Sequence, residues 1–226
     1  MRIIYDFGAN EGSDVAYYLR KADRVVAVEA DPALAAALGQ RFANEIREGR
    51  VVVECCVVTE AGEGVVPFHI HRHASPLSQF APPAPDQVDL FERVMLPARR
   101  ASDIVRQHGT PYYIKIDLEG VDHIVLRELF AAGIRPPFIS AEAHMPEVFT
   151  YLWHVGGYQS FKLVEPHHLD GRFARHVIQG PDGPEQFSFS KIMTGPFGED
   201  LPGPWMEALT LLRVLGVNGF GWKDIH

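Results

Sequence analysis

A short apolar run, Ile3-Ile4-Tyr5-Asp6-Phe7, ends at Gly8, and Gly12 follows just before the periodic segment Val15-Ala16-Tyr17-Tyr18-Leu19. An apolar run, a glycine turn and a helical period read as buried strand, tight turn and helix. This succession constrains the fold more than any other stretch of the chain. In an open sheet of parallel strands, the turn at the carboxyl end of a strand is where ligands sit. Glycine there lets the backbone approach a ligand with no side chain in the way.

The pattern then repeats. Arg24-Val25-Val26-Ala27-Val28-Glu29 reads as a second buried strand with an acidic end, and Pro32 suits the first position of the helix over 33–42. Residues 51–58 form a third strand and 65–71 a fourth, after the break at Gly62 and Gly64. Strand, helix, strand, helix, strand is half of a doubly wound sheet. Across 74–90 the prolines Pro76, Pro82, Pro83 and Pro85 crowd together, which predicts an irregular lid or insertion. Regular structure resumes with a strand over 93–97, a helix capped by Ser102 through His108, and a strand over 112–117. An amphipathic helix over 121–132 stops at Gly133, and a strand covers 138–144. The rest reads as a helix over 146–155, strands over 158–164 and 186–193, and a C-terminal loop-helix unit over 195–226 whose helix runs 206–215. No internal repeat and no second hydrophobic core interrupts this series, so residues 1–226 are expected to form one α/β domain, Rossmann-like, with helices on both faces of the sheet.

Twenty-one Lys and Arg against 29 Asp and Glu leave a net charge of −8, which offers no general attraction to nucleic acid or an anionic membrane. Neither is expected as a partner; self-association into a homo-oligomer stays open. The first strand begins at residue 2, which leaves no room for a charged and apolar leader, and no apolar run nears the roughly 18 residues of a membrane span. Cys55 and Cys56 are adjacent and poorly placed to staple a fold, so two reduced thiols and a cytoplasmic setting are expected.

Glu29 lies at the end of the second strand, where a carboxylate can accept hydrogen bonds from both hydroxyls of a ribose. With the glycine turn it argues for an adenosine-containing cofactor. A dinucleotide site wants G-x-G-x-x-G so that a pyrophosphate can settle on the helix start. This chain instead has Gly8-Ala9-Asn10-Glu11-Gly12 preceded by Asp6, and acids there repel phosphate and suit a ligand carrying an amine and a sulfonium. Two histidine groups, His69/His71/His73 and His167-His168, invite a metal reading, but alternating histidines on a strand are more often solvated or hydrogen-bonded, and no metal site is assigned. Asp117, Glu142 and His144 are the set that would suit a divalent cation, with plain substrate contact favoured over it. Trp153, Tyr158, Phe197 and Trp205 are candidates to wall an acceptor pocket, with core packing as the alternative.

Four motifs occur in order: Asp6-Phe7-Gly8-Ala9-Asn10-Glu11-Gly12, Val28-Glu29-Ala30-Asp31-Pro32, Ile114-Lys115-Ile116-Asp117-Leu118-Glu119-Gly120 and Ala141-Glu142-Ala143-His144. Over residues 2 to 144 the chain resembles an FkbM-type methyltransferase, a branch of the class I S-adenosylmethionine-dependent enzymes. The resemblance implies a seven-stranded mixed sheet in the order 3-2-1-4-5-7-6 with its last strand antiparallel, and O-methylation of a hydroxyl on a small molecule or carbohydrate. It also implies Asp6, Gly8, Asn10 and Gly12 around the methionine part of S-adenosylmethionine, Glu29 on its ribose, and Asp117 and Glu119 near the transferable methyl group. Ser75, Pro76, Leu77 and Ser78 stand loosely where the family has a hydroxyl-rich loop. A hydroxyl nucleophile needs a nearby base, and His144 and Asp117, at the ends of central strands, are the first choices, with Glu119 beside them. The rival readings are a nicotinamide-dependent oxidoreductase or sugar-nucleotide enzyme on a similar sheet, and a catalytically silent cofactor-binding module.

Overall fold

The computed structural model describes residues 1–165 and 169–226, so the His167-His168 pair lies outside the described residues. The first half runs β1 (Ile3–Phe7), α1 (Val15–Tyr18), β2 (Arg24–Glu29), α2 (Pro32–Arg41), α3 (Ala43–Arg47), β3 (Val51–Cys55), β4 (Val57–Val58), β5 (Gly64–His71), β6 (Phe91–Arg99) and α4 (Ala101–His108). It continues with β7 (Tyr113–Ile116), α5 (Asp122–Ala131), β8 (Phe138–Glu142), α6 (Pro146–Thr150), a π-helical turn at Tyr151–Val155, β9 (Ser160–Phe161) and β10 (Leu163–Val164). The last part comprises α7 (Leu169–Arg172), β11 (His176–Gly180), β12 (Gly183–Phe187), β13 (Met206–Glu207), α8 (Ala208–Asn218) and β14 (Asp224–Ile225).

One seven-stranded sheet dominates, in the order β10-β14-β8-β7-β1-β2-β3. Counting only its own strands in chain order, this is 3-2-1-4-5-7-6, the order the resemblance implies. The pairs β1–β2, β2–β3, β1–β7 and β7–β8 are parallel. The closing strand β14 is antiparallel to both β8 and β10. The chain moves from β1 outward through β2 to β3 and then returns to add β7 on the other side of β1. That reversal opens a crevice at the carboxyl ends of β1 and β7, the usual ligand position in such sheets.

All five residues of β1 are buried, as in a parallel strand covered on both faces. Alternate residues feed opposite layers. Tyr5, Phe7, Val26, Val28, Ile114 and Ile116 pack with α4 and α5 in one core. Ile4, Val25, Ala27 and Tyr113 pack with Tyr17, Tyr18 and Leu38 of α1 and α2 in the other. Phe197 stacks on Tyr113 at 3.9 Å between ring centroids and seals the second layer with the C-terminal segment. Asp31 caps α2 by accepting from the Ala33 N–H, and Pro32 starts the first turn, as the sequence suggests for the proline.

Several boundaries differ from expectation, each for a tertiary reason. The strand read over 93–97 extends to nine residues because β6 pairs antiparallel with all of β5, from Ala98 opposite Gly64 to Phe91 opposite His71. These two and β4 form a separate three-stranded sheet, and the proline-rich stretch is the β5–β6 connection, pinned by reciprocal backbone bonds between His69 and Gln79. The strand read over 186–193 ends at Phe187, the second arm of a hairpin with β11; beyond it Phe189 turns inward onto Tyr17. The helix read over 206–215 starts at Ala208, since Met206 and Glu207 pair with β9. Ser102 does not cap α4: it is buried in the first turn and donates its hydroxyl to Glu128 of α5. No helix among the described residues is long and apolar enough to cross a membrane.

Candidate active site

The loops at the carboxyl ends of β1, β2, β7 and β8 enclose a cavity of about 640 Å³. Gly8 turns at φ +87°, and a Cβ there would stand 1.9 Å from the Asp117 carbonyl oxygen. Glycine is therefore what lets the β1 and β7 strand ends close together. Asn10 holds the left-handed conformation at φ 46°, a position Asn tolerates better than most residues. The Glu29 carboxylate locks this turn: Oε2 accepts the Asn10 N–H and Oε1 the Asp31 N–H, both at 2.8 Å. Burial pushes its pKa up, and those two N–H groups pull it back. Each oxygen keeps a further lone pair for a ligand hydroxyl.

Beneath the turn lies a buried ammonium. Asp6 and Lys115 are register partners on β1 and β7, and Lys115 and Asp117 share a face because strand side chains alternate. Lys115 Nζ is 3.3 Å from Asp6 Oδ1, 3.2 Å from Asp117 Oδ2 and 3.7 Å from Asp14 Oδ2, and it donates to the Gly8 carbonyl at 3.4 Å. Thr194 adds its N–H and hydroxyl to Asp14. One cation thus faces three carboxylates. Burial lifts Asp6 to about 7 despite Lys115, and Asp14 repels it further.

On the cavity side the negative charge grows. Carboxylate oxygens of Asp117, Glu119 and Glu142 lie within 4.8 Å of one another, a spacing that can hold one cationic centre. Burial, with Asp117 alongside, lifts Glu119 to about 7; burial, Asp117 and Asp224 lift Glu142 to about 9. Asp224 of β14 sits opposite Glu142 in the antiparallel pair, and burial raises it well above the usual carboxylate range. Asp122, whose Oδ1 accepts the Leu118 N–H at 2.8 Å, is raised to about 7 by burial and Asp117. His144, just past β8 and partly exposed, faces Glu142 with Nε2 3.0 Å from Oε2.

Of the residues singled out in the sequence, Gly8, Asn10, Glu29, Asp117, Glu119 and His144 line this one cavity. Asp6 does not; it lies below the floor, where it holds Lys115. Gly12 also faces away, its Cβ direction pointing at Leu38 and Phe42 of the α2 region. Ser75 through Ser78 do border the cavity, and the Ser75 hydroxyl meets Asn10 Oδ1 at 3.3 Å. Asp14, Asp224 and Trp222 belong here too and escaped the sequence reading. Asp14 was legible in principle as an acid at the N-cap position of the helix after the glycines; nothing local marks Asp224 or Trp222.

The aromatic residues expected as pocket walls are elsewhere. Phe197 is buried on Tyr113, Trp153 stacks on Phe149 in the core, and Tyr158 and Trp205 line a second cavity of about 290 Å³ near Phe138, at the start of β8. Of the alternating histidines, His69 is buried, and His71 accepts the N–H groups of His73 and Ala74 at Nδ1.

A family model for the methyltransferase FkbM domain matches residues 6–178. Among solved structures, the chain is similar to a methyltransferase FkbM from Methylobacillus flagellatus KT, with 17% identity and a TM-score of 0.48. That alignment covers 73% of this chain and 40% of the Methylobacillus chain, so the match spans under half the length of that relative. It is also similar to a precorrin-6y C5,15-methyltransferase from Geobacter metallireducens GS-15, with 12% identity, coverage of 83% and 74%, and a TM-score of 0.41. No curated protein matches the sequence.

Proposed function

This chain belongs to the FkbM family of methyltransferases, and from that premise we propose that it transfers a methyl group from S-adenosylmethionine to a hydroxyl oxygen of a small molecule or carbohydrate. The observation that carries the reading is the continuity of one cavity from the Asn10–Glu29 turn to the Asp117, Glu119 and Glu142 carboxylates and His144. The donor set fits the cofactor. Glu29 has acceptor capacity left for a ribose, Gly8 and Asn10 present backbone rather than bulk, and Val57 and Val58 give an apolar wall for a purine. The acids suit a ligand with an ammonium and a sulfonium, and they repel the pyrophosphate of a dinucleotide.

When bound, S-adenosylmethionine supplies a methyl carbon that forms a bond to the acceptor oxygen as its bond to sulfur breaks, leaving a neutral thioether. The chain's own part is to orient, to remove a proton and to exclude water. Positioning accounts for much of the acceleration in such in-line transfers. Asp117 and Glu119 hold positive charge at the cavity floor. His144, which lines the cavity with Nε2 3.0 Å from Glu142 Oε2, takes the hydroxyl proton. Asp117 is the second candidate base.

Calorimetric titration with S-adenosylhomocysteine and with NAD separates this reading from a nicotinamide enzyme, since heat of binding is expected from the former alone. Methyl transfer from labelled S-adenosylmethionine to an acceptor panel separates it from a silent binding module. His144→Asn is expected to lower turnover by 10²–10⁴-fold, the usual contribution of a positioned base, with S-adenosylhomocysteine affinity kept. Unchanged turnover removes His144 from the role.

A further inference from the structure

Three large apolar side chains on three separate loops stand exposed at the same cavity. Leu77, in the β5–β6 connection, is 51% exposed; Ile192, in the segment after β12, is 65% exposed; Trp222, just before β14, is 50% exposed. Single exposed apolar residues are common on protein surfaces, but several bordering one concave site mark a surface that a ligand covers. Trp222 is also held in place. The Gly221 N–H donates to the Ala143 carbonyl at 2.9 Å and the Ala143 N–H to the Lys223 carbonyl at 2.7 Å. This clamp fixes the tryptophan beside the residue that separates Glu142 from His144, and so beside the candidate base.

The charges around the cavity narrow the choice further. Its lining cations among the described residues are Lys115, already enclosed by Asp6, Asp14 and Asp117, and Lys191. A phosphorylated or carboxylated acceptor would meet the Asp117, Glu119 and Glu142 cluster with little to offset the repulsion. A bare sugar would match the exposed apolar surface of Leu77, Ile192 and Trp222 poorly.

We propose that the acceptor is an uncharged alcohol carried on an apolar ring system, an aryl alcohol or phenol, whose ring stacks on Trp222 and is bordered by Ile192 and Leu77. The inference rests on the cavity being a methyl-transfer site and chooses among its acceptors. Stacking on an indole supplies affinity with little demand for specific hydrogen bonds, and it turns the hydroxyl edge toward His144.

The test uses the full chain saturated with S-adenosylhomocysteine, probed by calorimetry and ligand-observed NMR with 2-naphthol, methyl glucoside and phenyl phosphate. 2-Naphthol is expected to bind and the other two not. Trp222→Ser is expected to weaken 2-naphthol by about tenfold or more, and Trp222→Phe to restore most of it, with S-adenosylhomocysteine affinity unchanged in both. Ile192→Ser, at a loop position 65% exposed, is expected to weaken it by about threefold, and it decides the matter if the tryptophan variant does not fold. Binding of methyl glucoside or phenyl phosphate in place of 2-naphthol overturns the proposal, as does 2-naphthol affinity unchanged in both serine variants. If S-adenosylhomocysteine binds and no probe does, the acceptor inference falls while the methyl-transfer reading stands. If S-adenosylhomocysteine itself fails to bind, the methyl-transfer reading falls and takes this inference with it.

Discussion

Gly8→Ala tests the geometry on which the site depends, because the structure provides its own control. A Cβ at Gly8 would sit 1.9 Å from the Asp117 carbonyl oxygen, and the backbone there is at φ +87°. Gly133, which ends α5, has a similar φ of +78° but nothing within 4 Å of its Cβ direction. Both alanine variants incur the left-handed penalty of about 1–2 kcal/mol. Only Gly8→Ala also forces a backbone carbonyl aside, and overpacking of that kind adds about 1–3 kcal/mol. At about 2–4 °C per kcal/mol for a chain of this size, Gly133→Ala should lower Tm by about 2–8 °C and Gly8→Ala by about 4–20 °C. The displaced atom matters as much as the energy. Asp117 N–H donates to the Phe7 carbonyl at 3.0 Å, so relief comes from parting the β1 and β7 ends and carrying the Asp117 side chain away from its partners. A misplacement of about 1 Å costs about 100-fold in turnover. Thermal melts and S-adenosylhomocysteine titration of both variants check this. Equal melting temperatures, with cofactor affinity retained in Gly8→Ala, would refute the close approach of the two strand ends.

Lys115→Met leaves Asp6, Asp14 and Asp117 without their shared cation, and removing one partner of a buried ion pair costs about 3–5 kcal/mol. Denaturant titration should show that loss, and adding Asp6→Asn to the same chain should recover part of it; no recovery means the two side chains are not coupled. The raised carboxyls make apo stability pH-dependent. Glu142, lifted to about 9 from an ordinary 4.5, contributes stability that is complete below about 4.5 and is lost as pH rises through about 9. Melting temperature without ligand should therefore fall between pH 5 and 9. A sulfonium next to Glu119 and Glu142 favours their ionised forms, so S-adenosylmethionine should release protons on binding. Its affinity should gain on that of S-adenosylhomocysteine, whose sulfur is neutral, as pH rises from 6 to 9; a ratio flat across that range would show that the acids do not face the sulfur.

The parallel half of the fold was legible because its signals are local. Five buried residues run through each of β1 and β2, a glycine follows the first and an acid ends the second, and Pro32 after Asp31 starts α2 where the sequence says. What was not legible depends on partners far along the chain. β14 is two residues long and has no period to detect; it is a strand because Ile225 and Asp224 meet Ala141 and Glu142. The length of β6 is set by β5, and the end of β12 by the burial of Phe189. A motif reading also assigns roles by residue type rather than depth. Asp6 and Gly12 carry the motif yet face the interior, where one orders Lys115 and the other makes room for Leu38 and Phe42.

The same distinction explains the electrostatics of the site. Sequence placed acids at the strand ends without showing how deep each one lies. The structure divides them between two levels. The lower level, Asp6 and Asp14, is neutralised in part by Lys115, and Thr194 ties Asp14 to the C-terminal half of the chain. Asp117 belongs to both levels, with Oδ2 on Lys115 and its carboxylate within reach of Glu119 and Glu142. In the upper level Asp117 is paired with Lys115, and Glu142 has His144 as its basic neighbour. Buried carboxylates so close together are pushed toward protonation, which their raised pKa values express. In the proposed mechanism a cationic ligand would relieve the repulsion and leave Glu142 ionised, 3.0 Å from the Nε2 of His144. In this arrangement filling the donor half of the cavity prepares the base in the acceptor half, so the pH profile of turnover should lie below the pH range over which the empty site titrates.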